Sequence, residues 1–222
     1  MEVTRRVPVQ RRSRERVDTI LQAATELLAH GGVEALTIRS LAAHTKIPVG
    51  SIYRYFDNRD AIIAAYLDRQ LADIEQEMTT ALLELELVSF RSLVETTALA
   101  HMRHHQAHPE GVPVWFGGRM NHAVLQRVQA LDMRLAASLR AAVRGAGMLQ
   151  GAPEFSAELI VRMSDRMFEF VFLAERTAAE QEAIVREFVE IVASYMERFV
   201  TPAGRRGISA QQLVRALAPA EP

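Results

Sequence analysis

"KIPVGSIYRYFDNRD", from Lys46 to Asp60, sets two tyrosines and an arginine among apolar residues. On a helix opening at Val49, Ile52 and Phe56 lie four positions apart and share one stripe that points at a core. Val49, Gly50, Ser51, Tyr53, Arg54 and Tyr55 are then left on the outer arc. Each residue type there suits a nucleic-acid surface. Gly50 permits close backbone approach, Ser51 and the tyrosines offer O–H groups to phosphate oxygens, and Arg54 can pair with phosphate or make a forked contact to guanine. The competing reading is of tyrosines that cover a core edge beside a merely solvated arginine, and the order of the surrounding motif decides between the two.

The residues before this stretch supply its support. Val17, Ile20, Leu21, Ala24, Leu27 and Leu28 repeat with helical spacing, which predicts a helix over about 13–30 that stops at Gly31-Gly32. Thr37 stands at an N-cap position, Ile38, Leu41 and Ala42 turn inward behind it, and the second helix ends near His44. Only Thr45 to Pro48 separate it from the next helix. Two short helices joined so tightly form a helix-turn-helix.

At these residues the sequence resembles the DNA-binding domain of the TetR family of transcriptional regulators. The likeness covers about 13–67 and rests on the Gly-Gly stop, "LTIRSLAAHT", "GSIYRYF" and "NRDAII" in that order. It implies a homodimeric repressor that puts its third helix in the major groove, with a fourth helix leading to an effector-binding C-terminal domain. By matching positions it also implies backbone contacts for Thr37, Arg39, Ser51, Tyr53, Tyr55 and Arg59, and base readers at Val49, Gly50 and Arg54. Two residues depart from the family pattern: Lys46 stands where Gly is common, and Pro48 where a Ser cap is common. Altered phosphate contacts are expected from them, with the fold kept.

From Asn58 to about Leu85 the pattern predicts one long helix, followed by helices near 88–107, 111–119, 121–145, 154–176 and 178–200. In 88–107 the inward stripe passes from Phe90, Leu93, Val94 and Thr97 into His101, His104, His105 and His108. Burial of unpartnered imidazoles is costly, so this end is expected to line a wet or ligand-filled pocket, the alternative being histidines exposed at a helix end. His101, His105, Trp115, Phe116 and Met120 are the candidate ligand residues. The spacings 101/105 and 104/108 also suit a metal, but no metal and no cofactor are assigned. The last two long helices are apolar on two sides. That predicts a homodimer interface, with Phe168, Phe172, Phe188, Tyr195 and Phe199 as its candidates.

The expected fold is all-α, with a basic arm (1–12), a helix-turn-helix domain (13–57), an effector-binding and dimerisation bundle (58–201) and a flexible tail (202–222) holding a short helix near 209–217. The net charge of −1 conceals an imbalance: residues 1–60 carry ten Lys/Arg against seven Asp/Glu. Arg5, Arg6, Arg11, Arg12, Arg14 and Arg16 account for most of it and suggest a polyanion bound at one end. With no cysteine there is neither disulfide nor thiolate chemistry. No apolar run is long enough for a membrane span, so a cytoplasmic setting is expected. "GAGMLQG" lacks the preceding strand and following lysine of a nucleotide loop. No Glu-x-x-His or nucleophile-elbow pattern occurs either, and an enzyme is not expected. The expected partners are double-stranded DNA, a small, largely apolar effector and a second copy of the chain. The alternatives are a DNA-binding adaptor or architectural protein without an effector, or a ligand- or metal-binding helical bundle.

Overall fold

The computed structural model describes the backbone of residues 6–117 and 122–217, and the side chains of 12–116 and 125–217. The first helix, α1 (Arg6–Ala35), is kinked where Gly32 takes a φ of 63°. That left-handed conformation is cheap only for glycine. Here the expected Gly-Gly stop is found, whereas the helix starts in the arginine-rich segment rather than near residue 13. Arg and Gln are good helix formers, and a proline, Pro8, is tolerated in a first turn. Helix α2 (Ile38–Thr45) packs on α1, and α3 (Val49–Ile52) packs on α2. Helix α4 spans Arg59–Leu83, and the Asn58 side chain caps it by accepting from the Ala61 amide at 2.9 Å.

Two compact units divide the chain. The first takes residues up to Gln70 together with 109–125, and the second takes 71–108 with everything from Gln126. This differs from the boundary expected at residue 57, since α4 is shared and a later segment joins the first unit. Within that segment, the helix expected over 111–119 is instead a 3-10 turn (Pro109–Gly111), which packs on α1, and a π turn (Pro113–Gly117). A helix running on from Pro109 would need an amide hydrogen at Pro113, which proline lacks.

In the second unit, α5 (Phe90–Ala107) packs against α8 (Ala178–Met196), which also packs against α7 (Ser156–Phe172). Helix α6 covers His122–Gly145. Capping boxes start α5 and α8: the Ser89 hydroxyl accepts from the Ser92 amide at 3.1 Å, and the Thr177 hydroxyl from the Glu180 amide at 3.3 Å. The core includes Val88, Leu93, Ala142, Met148, Val192, Met196 and Leu213.

Residues 202–217 are more ordered than the expected tail. They form α9 (Pro202–Arg206), the strand β2 (Ile208–Ser209) and α10 (Ala210–Leu217), and they bury Gly204, Ala210 and Leu213. β2 pairs antiparallel with β1 (Leu87–Val88), so the all-α expectation holds but for this ribbon. Strands of two residues are too short to show alternation in sequence. A Cβ at Gly204 would come within 2.4 Å of the Met148 carbonyl oxygen, so this contact fixes the residue as glycine.

The histidine end of α5 is buried, as its spacing indicated. His104 and His105 are each 1% exposed. His101 keeps a partly exposed edge, but its ring lies 4.3 Å from that of Phe168 and its Nε2 is 3.0 Å from Nε2 of His105. Burial first, and His104 second, push the His101 imidazole down to about 3. Burial first, and then His101, His104 and His108, hold His105 well below the usual histidine range. Both are therefore neutral when folded and take up protons below about 6.5 when unfolded. The unfolded chain then binds more protons, so stability is lost as pH falls from about 6.5 toward 3, by up to about 1.4 kcal/mol per pH unit for each histidine. Urea midpoints measured between pH 7.5 and 4 are expected to fall with acid, and His105→Leu is expected to make that fall shallower.

Candidate nucleic-acid interface

The outer arc of α3 exists because its inner stripe is buried. Ile52 is 0% and Phe56 7% exposed, over a core that also buries Ile20, Leu36, Leu41 and Ile47. Helical bonding continues past the formal end of α3: Tyr53 N donates to Val49 O at 3.1 Å and Phe56 N to Ile52 O at 3.0 Å. These bonds fix the phase of the intervening side chains. Val49, Tyr53 and Arg54 are exposed, as is Gly50, whereas Ser51 and Tyr55 are partly buried. All six lie on the side expected, with Tyr55 nearest the core edge.

Helix α2 is held by an N-terminal box in which Ser takes the place of the usual Glu or Gln. The Ser40 amide donates to Thr37 Oγ1 at 3.0 Å, the Thr37 amide donates to Ser40 Oγ at 2.9 Å, and Ser40 Oγ donates to Ala35 O at 2.6 Å. Thr37 is thus a capping residue with an exposed side, and Arg39 beside it is exposed. His44 Nε2 lies 2.6 Å from Glu26 Oε2 and ties α2 to α1. The Gln22 amide and then His44 hold the Glu26 carboxyl below its usual value.

Arg59 departs from the expectation of a phosphate contact. Its guanidinium turns inward and donates to the Val33 carbonyl, joining the start of α4 to the end of α1. Sequence spacing placed Arg59 correctly at the helix entry but could not show that α1 ends with a free carbonyl beside it. Lys46 caps α2 with a φ of 59°, and among the described residues it is the one non-glycine with positive φ. The turn therefore demands the conformation that Gly adopts without strain, while the sequence supplies a cation. Pro48 is the N-cap of α3, and its carbonyl accepts from Ser51 N at 2.8 Å.

The sequence-derived ligand residues fall in different places. His101 and His105 belong to the second unit, Trp115 and Phe116 are buried in residues of the first, and Met120 lies outside the described residues, as does Arg5 of the arm. The interface candidates need correction. Phe168 (1% exposed) and Phe188 (7%) are spent inside the protomer, and Phe172, Tyr195 and Phe199 are partly buried. The apolar side chains that α7 does expose are Leu159, Met163 and Phe170, and α8 exposes Ile191. The sequence showed two apolar sides on these helices, but periodicity alone does not say which side the monomer uses.

A capped helix, a left-handed turn and a short helix with a polar arc define the first unit as a helix-turn-helix DNA-binding domain. Residues 20–66 match the family model described as bacterial regulatory proteins, tetR family. A helix-turn-helix transcriptional repressor of Mycobacterium tuberculosis is 45% identical over 49 residues, which is 22% of this chain and 26% of that protein. The match thus spans about a quarter of the length of the first curated relatives. Among solved structures, a TetR-family transcriptional regulator of Streptomyces coelicolor aligns with a TM-score of 0.58 at 24% identity, covering 83% of this chain and 99% of the other. The transcriptional regulator FadR of Bacillus subtilis, in complex with stearoyl-CoA, aligns with a TM-score of 0.62 at 16% identity, covering 79% and 97%. Such structural likenesses speak to fold alone. Among the described residues, no helix is long and apolar enough to cross a membrane.

Replacing Lys46 with Gly should relieve the left-handed strain of about 1–2 kcal/mol and lose part of that gain to unfolded-chain entropy. The net expectation is a stabilisation of about 0.5 kcal/mol, read from chemical denaturation. If Lys46 also touches phosphate, the salt slope of DNA binding falls by about 0.9 in the same variant.

Proposed function

We propose that the protein is a homodimeric transcriptional repressor that binds a palindromic operator and is released from it by a small-molecule effector. The observation that carries the reading is the exposed arc of Val49, Gly50, Tyr53 and Arg54 on a helix anchored by buried Ile52 and Phe56. An arc of this chemistry meets base edges and phosphates when the helix lies in a major groove. Arg54, which is exposed, is assigned to base reading. Tyr53, Ser51, Tyr55, Thr37 and Arg39 are assigned to the DNA backbone. Arg59 is assigned a positioning role at Val33 in place of the phosphate contact.

The second copy is assigned to the exposed apolar side of α7 and α8. Leu159, Met163, Phe170 and Ile191 occupy it, and large exposed apolar groups on packed helices favour an isologous partner. The effector is assigned a polar group that faces His101 and His105, whose neutral rings sit beside Phe168 and Phe172. Such a setting suits a largely apolar molecule with one hydrogen-bonding end.

Selecting bound sequences from random DNA with purified protein is the primary test, and a palindrome is the expected product. On that operator, Arg54→Ala should cost about 1–3 kcal/mol and relax preference at one base position per half-site, whereas Tyr53→Phe should weaken all sites alike. Equal loss at every position would remove Arg54 from the reading set. Failure to enrich any sequence would overturn the repressor reading, and equal effector affinity with and without operator would leave a DNA-binding adaptor.

Phe170→Glu is expected to give a folded monomer in sedimentation analysis with weakened operator binding. Phe168→Ala should instead lower stability by about 3–5 kcal/mol, since it empties a core position.

A further inference from the structure

Glu77 of α4 meets the C-terminal end of α5 within the second unit. Its Oε1 lies 3.0 Å from His104 Nδ1, and one ligand atom each from Glu77, His104 and His108 fall within 4.8 Å of one another. The rings of His104 and His108, one helical turn apart, have centroids 4.7 Å from each other. The His104 side chain is 0% exposed, while that of Glu77 keeps 43%. The cluster is therefore rigid on its buried side and open to solvent on the other.

We infer that Glu77, His104 and His108 form a binding site for a divalent transition-metal ion of the zinc class. Two imidazole nitrogens and one carboxylate oxygen make a donor set of borderline softness that suits zinc, cobalt or nickel and does not suit calcium or magnesium. Donors bound to zinc at about 2.0–2.2 Å sit roughly 3.0–3.5 Å apart, which the Glu77–His104 pair already matches. Small rotations of His108 and Glu77 bring the third donor in, and both side chains keep enough exposure to move. Three protein ligands leave a coordination position for water or for a ligand group with its own donor atom.

The 3.0 Å contact has a second physical account. In a plain hydrogen bond, His104 Nδ1–H donates to the carboxylate; in a metal site, Nδ1 is deprotonated and both atoms face one cation. These two states differ in whether His108 matters. A Glu77–His104 hydrogen bond does not need it, whereas three-point ligation does. The neighbouring pair His101 and His105 is the natural rival within the same helix, and its Nε2 atoms are 3.0 Å apart. Its rings lie against Phe168 and Phe172, surroundings that disfavour a dication.

The experiment uses the untagged full chain after dialysis against chelator, titrated with Zn²⁺ by calorimetry and with Co²⁺ by visible absorption. The expected result is one ion per chain, a rise of several degrees in the thermal midpoint with Zn²⁺, and a Co²⁺ spectrum of nitrogen and oxygen ligation. His108→Ala and Glu77→Gln, both at partly exposed positions, are expected to fold and to lose stoichiometric binding, and His101→Ala is expected to retain it. No stoichiometric binding to the wild type, or binding that survives His108→Ala, would overturn the site and leave the hydrogen-bonded pair. Loss in His101→Ala with retention in His108→Ala would overturn it in favour of the other pair. None of these outcomes depends on DNA binding, so the repressor reading and the metal site fail separately.

Discussion

Burial of Ile52 and Phe56, four residues apart on a helix with only Val49–Ile52 in regular form, decides where every polar group of that segment points. A helix so short has no independent stability. Its orientation is set by the apolar anchors beneath it, by the hydrogen bonds that continue to Phe56, and by the turn that delivers the chain into it. Each side chain proposed to touch DNA inherits its direction from those contacts. The polar arc is thus a consequence of the core.

The same economy governs the turn. Thr37 and Ser40 close the start of α2 by reciprocal hydrogen bonds, and Lys46 ends it in a left-handed conformation that costs a lysine about 1–2 kcal/mol. The turn thus carries strain that glycine would avoid, and it leaves an exposed cation between α2 and α3. Arg59 shows the opposite trade. A residue whose charge suits DNA is instead used to satisfy the Val33 carbonyl and to hold the entry of α4 against the end of α1.

In the second unit, polar groups are placed where apolar ones would pack more easily. His101, His104 and His105 occupy the inner stripe of α5 and are kept neutral or paired rather than removed from the core. Burial disfavours the charged forms of His101 and His105, so acid is expected to weaken the unit. On α7 the division is sharp: Val161, Phe168 and Val171 are buried, whereas Leu159, Met163 and Phe170 are exposed. That leaves an apolar side available to a partner after the monomer core is complete.

Local chemistry was legible from the sequence. The Gly31-Gly32 stop, the caps at Thr37 and Asn58, the inward phase of Ile52 and Phe56 and the inward run of histidines each follow from spacing or from one residue's backbone preference, and neighbours along the chain suffice to specify them. The two-residue strands Leu87–Val88 and Ile208–Ser209 were not, since two residues carry no period and their pairing joins segments far apart in sequence. The choice between the two apolar sides of α7 was not either, because a helix apolar on both sides gives the same periodicity whichever side the monomer buries. Arg59 was legible but its partner was not, and Glu77 was not singled out at all: α1 brings Val33 to one and α5 brings His104 to the other, 26 and 27 positions away. The sequence by itself determined which residues lie on which face of each helix. Only the packing of helices against one another decided what those faces meet, because that depends on contacts between segments that no local pattern encodes.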